Sequence, residues 1–349
     1  MSTRKNVKGH RRDAQPLLMR ASLTEEILFD ILARLRVKSL LRFRGIYRSW
    51  NNLIISLSFI NAHLKRNVVQ NSCDHLLIHT DMSNCLSLFD AETFSKRLDF
   101  ELPGHDFGFV VHSPCNGLFC ISNSALMTLE SPEHLWNPSI RKLKRLPNGL
   151  QHTTVFVHLG FGFHGEVDDY RVARVARFLC NKSIFGIEVY NLRLNCWRTI
   201  TAVPPVSNDV NFLQSACVFL NGVVYWITKE PSQHSPSILT FDLGNEVFQK
   251  ILLPETTVEV PTDVGIQVVE NSISLFQVRT DRLGLYCDIS VLEVDTWKMM
   301  QTIIFPYSKL LEFLDRWTRP TLTTPILSPL NHLHNPQVWG FTTKCLGIS

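Results

Sequence analysis

The chain has 349 residues, of which 45% are hydrophobic and 10% aromatic, so it can bury a sizeable core and is neither disordered nor fibrous. Its 35 basic and 31 acidic residues give a formal net charge of only +4, whereas a protein built around a nucleic-acid backbone carries a large, clustered basic excess. No apolar run approaches the roughly 20 residues of a membrane helix, and the scattered cysteines fit no common zinc spacing. We therefore expect about two domains in the cytoplasm or the nucleus, with no nucleic acid, membrane, metal or cofactor as a partner.

Residues 1–20 are polar and predict a disordered tail. Basic side chains concentrate between Arg4 and Arg12, which could serve as a nuclear address. A flexible, solvated terminus accounts for them equally well.

Residues 21–66 carry the apolar periodicity of helices. The spacing of Ser22 and Glu25 predicts a capping box at the start of a first helix. Ser39 is positioned to cap a second helix that continues to Ile54, and a third short helix follows. Three short helices bury little surface alone, so this module needs a cover, which is either a partner or the rest of the chain.

The sequence of this module resembles the plant F-box over about 45 residues. The similarity runs from the Leu-Thr-Glu-Glu-Ile-Leu segment at 23–28 to Trp50 and continues through Leu53, Ile54 and Phe59, with the family's spacing throughout. It departs from the family at Thr24 and Arg36, where proline is usual, and at Tyr47, where cysteine is usual. The resemblance implies that the module binds a Skp-type adaptor, which hangs from a cullin scaffold. The contact residues that it implies are Leu23, Ile27, Ile31, Leu35, Val37, Leu40, Leu41 and Trp50.

From residue 75 onward, short apolar runs alternate with turn residues, which is typical of an all-β domain. One unit recurs about every fifty residues: an apolar strand that ends in Asp, Asn or Glu, followed by a second strand. The turn residues of these units are Asp90, Asn137, Asn191, Asp242 and Glu293. This kelch-like period predicts a β-propeller of about five to six blades over residues 75–349. A β-sandwich is the alternative, but it does not require a fixed long period.

This β half resembles the F-box-associated domain of the large plant F-box family. Among the matching segments are residues 115–118, 135–139, 159–163 and 168–172. The similarity covers residues from about 75 to 300 and fades beyond, so the last blade could be incomplete. The expected fold is therefore mainly β, with a small three-helix module in front of it.

Several local motifs in the β half have an ordinary structural interpretation. The Asn-Gly pairs at 116–117 and 221–222 predict tight hairpins. The glycines at 160, 162 and 165 form a literal GxGxxG, but an acidic turn follows instead of a helix N-terminus, so we predict blade packing rather than nucleotide binding. The tryptophans at 136, 197, 226 and 297 occupy strand positions and are expected in the core.

Taken together, the resemblance implies a non-catalytic substrate-recognition subunit of a Skp–cullin–F-box ubiquitin ligase. The β half would hold an unknown target protein near the ubiquitin-loaded enzyme, and the polar connections at 201–211 and 229–237 are candidate target contacts. One alternative is an interaction scaffold, or a decayed family member that no longer binds the adaptor. Another is a propeller enzyme, which would need a convergent catalytic site that no motif indicates.

Overall fold

The computed structural model describes the helical module, most of the β body and one short strand near the end of the chain. The described residues are 24–70, 75–79, 85–90, 93, 95–101, 109–112, 114–123, 133–149, 154–178, 184–213, 217–233, 235–254, 263–269, 271–280, 284–293, 296–306 and 341–342. The predicted tail, the capping residue Ser22 and the predicted contact Leu23 lie outside these residues. The domain boundaries 21–66 and 75–349 remain predictions.

The helical module contains four helices, where three were predicted. They are α1 (Glu25–Ala33), α2 (Val37–Phe43), α3 (Arg48–Ile54) and α4 (Leu57–Gln70). The predicted second helix is divided into α2 and α3 by a turn at 44–47, in which Gly45 donates to the carbonyl of Arg42 at 3.2 Å. Glycine is a poor helix former, and it ends α2 although the apolar spacing continues across the break. The cap prediction for Ser39 was wrong, because Arg36 is the N-cap of α2.

The β body consists of five antiparallel sheets. The first contains β1 (His75–His79), β2 (Cys85–Asp90) and β3 (Lys96–Glu101). The second contains β4 (Phe109–Val111), β5 (Phe119–Asn123), β6 (His134–Asn137) and β7 (Lys142–Arg145). The third contains β8 (Thr154–His164), β9 (Asp169–Phe178), β10 (Ile184–Asn191) and β11 (Cys196–Ile200).

The remaining strands complete the fourth and fifth sheets and return to the first. The fourth contains β12 (Asn211–Phe212), β13 (Val218–Leu220), β14 (Val223–Lys229), β15 (Ser237–Asp242) and β16 (Val247–Leu252). The fifth contains β17 (Asp263–Val269), β18 (Ser272–Thr280), β19 (Gly284–Glu293) and β20 (Thr296–Pro306). The last described strand, β21 (Phe341–Thr342), pairs antiparallel with β1 through Leu76 and Leu77. The first sheet therefore has the order β21-β1-β2-β3.

The fifty-residue repeat predicted from the sequence is confirmed by the strand ends. In every sheet the strand that pairs with the last strand ends at the predicted turn residue. These strands are β2, β6, β10, β15 and β19, and they end at Asp90, Asn137, Asn191, Asp242 and Glu293. The strand that follows is the last in its sheet, and we call β3, β7, β11, β16 and β20 the outer strands. This arrangement agrees with the predicted propeller of about five blades.

Successive sheets pack face to face. Leu88 and Phe100 of the first sheet share an apolar cluster with Phe119 and Trp136 of the second. Similar clusters join the second sheet to the third, the third to the fourth, and the fourth to the fifth. The second, third and fourth sheets thus each bury apolar residues against both neighbours, as blades do.

The glycines of β8 permit one of these contacts. A Cβ atom at Gly160 would lie 2.6 Å from the Trp226 ring, and one at Gly162 would lie 2.2 Å from the Phe219 ring. Trp226 is fully buried, and its indole N–H donates to the carbonyl of Leu159 at 3.0 Å. The packing interpretation is confirmed for these two glycines, whereas Gly165 has open space around it.

Outer-strand tryptophans link neighbouring blades through hydrogen bonds. The indole N–H of Trp197 donates to the carbonyl of Pro147 at 2.7 Å, and that of Trp297 donates to the carbonyl of Leu252 at 3.0 Å. Each acceptor lies at or just after the outer strand of the preceding sheet. Both rings are only half-buried. These two tryptophans therefore contribute to the core only in part, and they also connect neighbouring sheets.

A buried ion cluster joins the second and third sheets. The Arg174 guanidinium on β9 bonds Glu133, just before β6, and Glu188 on β10, the latter at 2.8 Å. The guanidinium carbon of Arg174 also lies 4.0 Å from the centroid of the Trp197 ring. All three charged side chains are buried, and burial raises the pKa of Glu133 against the opposing effect of Arg174.

Candidate functional site

The helical module presents one face of α1 to its own core and another to solvent. Thr24 begins the helix, since its hydroxyl accepts the N–H of Ile27 at 3.4 Å. Leu32 and Ala33 are buried among residues of the other three helices. Ile27 and Ile31 lie one helical turn apart and are 49% and 44% exposed. We call these two residues the α1 stripe.

Helix α4 fixes α1 from the other side. The Phe59 ring packs edge-on against Phe29, with centroids 5.2 Å apart. The imidazole Nε2 of His63 lies 2.9 Å from the carbonyl oxygen of Leu35, just after α1 ends. Arg66 bonds Asp30 at 3.0 Å. These contacts hold the α1 stripe on a rigid support.

The eight predicted adaptor contacts fall into three groups by exposure. Ile27, Ile31 and Leu41 expose 49%, 44% and 39% of their surface. The half-buried ones are Leu35, Val37 and Trp50. Leu40 is only 5% exposed, so its side chain supports the surface from beneath, and Leu23 lies outside the described residues.

Sequence reasoning left two exposed apolar residues out of the contact set. Ile46 and Tyr47, in the turn between α2 and α3, are 53% and 60% exposed. The Tyr47 ring lies 5.4 Å from that of Trp50, and Trp50 packs edge-on against Phe43. An apolar pair inside a turn was the available signal, but the helix predicted across this turn concealed it.

The two positions where the family usually has proline keep proline-like geometry. Thr24 has φ −60° and ψ 151°, and Arg36 has φ −64° and ψ 147°. Both values of φ match the angle that a proline ring imposes. Thr24 offers a capping hydroxyl in place of the ring, whereas Arg36 makes no side-chain cap and is exposed.

The two connections predicted as target contacts meet at Glu230. Its carboxylate accepts the backbone N–H of Ser207, which lies in the first connection, at 3.2 Å. Lys250 bonds the same carboxylate, lowers its pKa, and also donates to Gln233 at 3.2 Å. In the first connection, Val203 is 81% exposed. The structure thus brings the two connections together, and their binding role stays a prediction.

Family models match both parts of the chain. The F-box domain matches residues 21–61. The F-box associated beta propeller domain matches residues 68–319, which is well over half of the chain. The chain belongs to this F-box family. Its helical module is accordingly the F-box, and its five sheets form the F-box-associated domain.

Curated relatives of this F-box protein come from Arabidopsis thaliana. An F-box/kelch-repeat protein is 28% identical over 66% of this chain and 65% of its own length. The F-box protein CPR1 is 25% identical over 80% of this chain and 70% of its own length. The chain therefore spans about two thirds of the length of these relatives.

Membrane-spanning helices and clusters of metal-binding side chains are both missing from the part of the chain that the structure describes. No helix there is long and apolar enough to cross a membrane. Within the same residues, no group of histidine, cysteine and acidic side chains could hold a metal ion. His158 stacks on Phe212 with ring centroids 3.8 Å apart.

Proposed function

We propose that this F-box protein is a substrate-recognition subunit of a Skp–cullin–F-box ubiquitin ligase and has no catalytic activity of its own. Its F-box binds the Skp-type adaptor, and its β body holds a target protein. The ubiquitin-loaded enzyme then meets target lysines at a raised effective concentration. Such a complex works in the cytoplasm or the nucleus.

The observation that carries this proposal is the α1 stripe. Exposed isoleucines one turn apart on a braced helix are unfavourable in water, and they offer an apolar surface to a partner helix or groove. The resemblance implies both residues as adaptor contacts. Leu41 adds a third exposed apolar side chain, while Leu40 and Leu35 support the surface from within.

The test is co-purification with a plant Skp-type adaptor, comparing the wild type with Ile31→Asp. Because Ile31 is already half exposed, aspartate there should leave the module folded while placing a charge at the contact. We expect adaptor recovery to fall at least tenfold, as for an interface residue worth more than about 1.4 kcal/mol. Leu35→Asp is a poorer choice, since Leu35 packs against the helical core.

Ile60→Asp is the matched control. Ile60 lies on α4, is 40% exposed and is outside the predicted contact set. If Ile60→Asp retains the adaptor and Ile31→Asp loses it, the loss is specific to the stripe. Equal binding by the wild type and Ile31→Asp would contradict the proposed contact.

Arg36 is the observation that favours the second candidate function, a scaffold without an adaptor. It places an exposed charge next to Leu35 and Val37, where the family usually has an apolar ring. If the folded wild type fails to bind the adaptor and the Arg36→Pro variant binds it, the protein is a family member that no longer assembles into the ligase. Failure of both would favour a scaffold.

A further inference from the structure

The outer strand of the second sheet carries an unusual concentration of positive charge. Arg141, Lys142, Lys144 and Arg145 occupy four of five consecutive positions in and just before β7, and all four are exposed. None has a carboxylate partner among the described residues. The Lys144 ammonium donates at 2.7 Å to the side-chain amide of Asn195, which carries no charge. We call these four residues the β7 basic strand.

On each of the other four outer strands, one lysine or arginine pairs with a carboxylate. Lys96 on β3 pairs with Asp99 at 2.8 Å, and Lys298 on β20 pairs with Glu293 at 3.3 Å. Arg198 on β11 pairs with Glu246, and Lys250 on β16 with Glu230. Lysines alone can protect a sheet edge from unwanted pairing, but these strands protect their edges with balanced charge. The repulsion within β7 therefore needs another explanation.

Cations face both sides of β7. Lys142 and Lys144 pair in register with Asn137 and Leu135 on β6, and Leu135 belongs to the cluster shared with the third sheet. Leu143 packs instead in the cluster shared with the first sheet, so Arg145, two positions further along the strand, lies on that side. The edge between the two sides is unpaired in the described sheet, which ends at β7.

Arg141 holds this charge at a conformational cost. Its φ is 52°, in the left-handed region. Asn195 and Glu246 occupy the corresponding turn positions of the next two sheets, with φ of 53° and 59°. Asparagine and glycine enter this region most easily, whereas other residues are strained there. The turn would be more stable with asparagine, as in the third sheet.

We propose that the β7 basic strand binds an extended acidic segment of a partner protein. A segment that runs along the free edge directs successive side chains to alternate sides. Because both sides carry cations, consecutive aspartates or glutamates would each meet a positive charge. The unpaired backbone groups of β7 can pair with the segment's own backbone. This inference rests on the proposed function, because it assigns the target a chemical class.

Charge and geometry favour a polypeptide over a nucleic acid. The whole chain has a net charge of only +4 and a sequence pI of about 8.6, below the value of about 9 or more typical of a nucleic-acid-binding domain. Single-stranded nucleic acids also need aromatic platforms for base stacking, and Leu143 is the only uncharged residue between Arg141 and Arg145. A strand edge, by contrast, suits a peptide backbone.

The test uses full-length protein and a labelled peptide with a run of about six acidic residues, which spans about 20 Å when extended. Fluorescence anisotropy should show binding that weakens as salt screens the charges. Lys142→Glu/Lys144→Glu should weaken binding by about tenfold or more, because two attractions become repulsions. A peptide with asparagine and glutamine in place of the acids should not bind.

Two variants control for folding and for position. Arg141→Asn removes one charge and relieves the strained turn, so we expect a loss of about two- to threefold in affinity without a lower Tm. Lys298→Glu reverses an exposed lysine on another outer strand and should leave peptide affinity unchanged. Binding that is absent in the wild type, or equal in the wild type and the double variant, would overturn the proposal. Tighter binding of a single-stranded oligonucleotide of the same charge would also overturn it.

Adaptor recovery separates this inference from the proposed function. The β7 variants should bind the Skp-type adaptor as the wild type does, and Ile31→Asp should bind the acidic peptide normally. Loss of adaptor binding alone leaves the β7 surface intact. Loss of peptide binding alone removes only the assignment of an acidic target.

Discussion

The F-box and the β body differ in the kind of side chain that they leave available for a partner, which is apolar in the F-box and charged in the β body. In the F-box, Leu40, Ile54 and Phe59 pack against the buried side of α1, while Ile27 and Ile31 stay about half exposed. In the β body, apolar clusters extend from each described sheet to the next. A small helical module cannot cover itself, so the binding surface that we propose for it is apolar. The surface that we propose for the β body lies on a sheet edge instead, and it is charged.

Removal of Arg174 should break the β body and leave the F-box intact. Arg174→Met would leave Glu133 and Glu188 buried without their cation, and such a loss typically costs about 3–5 kcal/mol. Urea denaturation followed by tryptophan fluorescence would measure the change in the free energy of unfolding. Adaptor binding should persist under native conditions, because no contact of α1 involves Arg174.

A triple variant provides the control for this prediction. With Glu133→Gln and Glu188→Gln added to Arg174→Met, the buried charges are gone, and most of the lost stability should return. If Arg174→Met alone costs less than about 1 kcal/mol, the cluster is not the joint between the second and third sheets that we describe.

Acid should weaken the β body through His112. This histidine is 2% exposed, its Nε2 lies 3.0 Å from the Ser122 hydroxyl, and burial lowers its pKa from 6.5 to about 3. As pH falls below about 6.5, the unfolded chain takes up a proton that the folded chain excludes. Stability is therefore full above that pH and falls by about 1.4 kcal/mol per pH unit between about 6 and 3.

His112→Gln isolates this effect. Glutamine can either donate to the Ser122 hydroxyl or accept from it but has no ionisable group, so the variant should lose this part of the acid slope. The comparison is made by urea denaturation at several pH values, with each protein referred to its own stability at neutral pH. An unchanged slope would show that other groups control the acid limit of the β body.

The smallest predicted effect concerns the F-box. Arg36→Pro should stabilise the protein by about 0.4–1 kcal/mol, because Arg36 already has φ −64° and its side chain makes no capping bond. Thermal unfolding of the F-box measures the gain. A destabilised variant would mean that the backbone before α2 cannot accept a proline ring. The same substitution removes a charge beside the predicted adaptor contacts Leu35 and Val37, so we expect it to tighten adaptor binding as well.

Local chemistry made much of the fold predictable. Asp242 shows why: its carboxylate accepts the N–H groups of Gly244 and Asn245 at 2.7 and 2.8 Å, so the turn is determined by residues next to it. The Asn-Gly pair at 221–222 likewise has φ of 49° and 86°, as a tight hairpin requires. Repetition of such turns revealed the blades.

Other features depend on residues far apart in the chain. Arg174 finds Glu133 across 41 positions and Glu188 across 14, and no periodicity relates them. Leu40 is buried because it packs with residues of α1, α3 and α4, whereas its neighbour Leu41 is exposed, and the apolar spacing did not distinguish the two. The unpaired charge of β7 is visible only when the partners of the other outer strands are known.

The pairing of β21 with β1 has a consequence for how the protein is made. Leu76 and Leu77 leave the ribosome long before Phe341 and Thr342, their partners in the first sheet. Closing so long a loop carries an entropic cost that only the finished ring repays. The F-box, whose described helices contact one another between residues 24 and 70, can fold as soon as it emerges. The helical end of the chain therefore matures first, while the first sheet waits for β21 until Phe341 and Thr342 have been made.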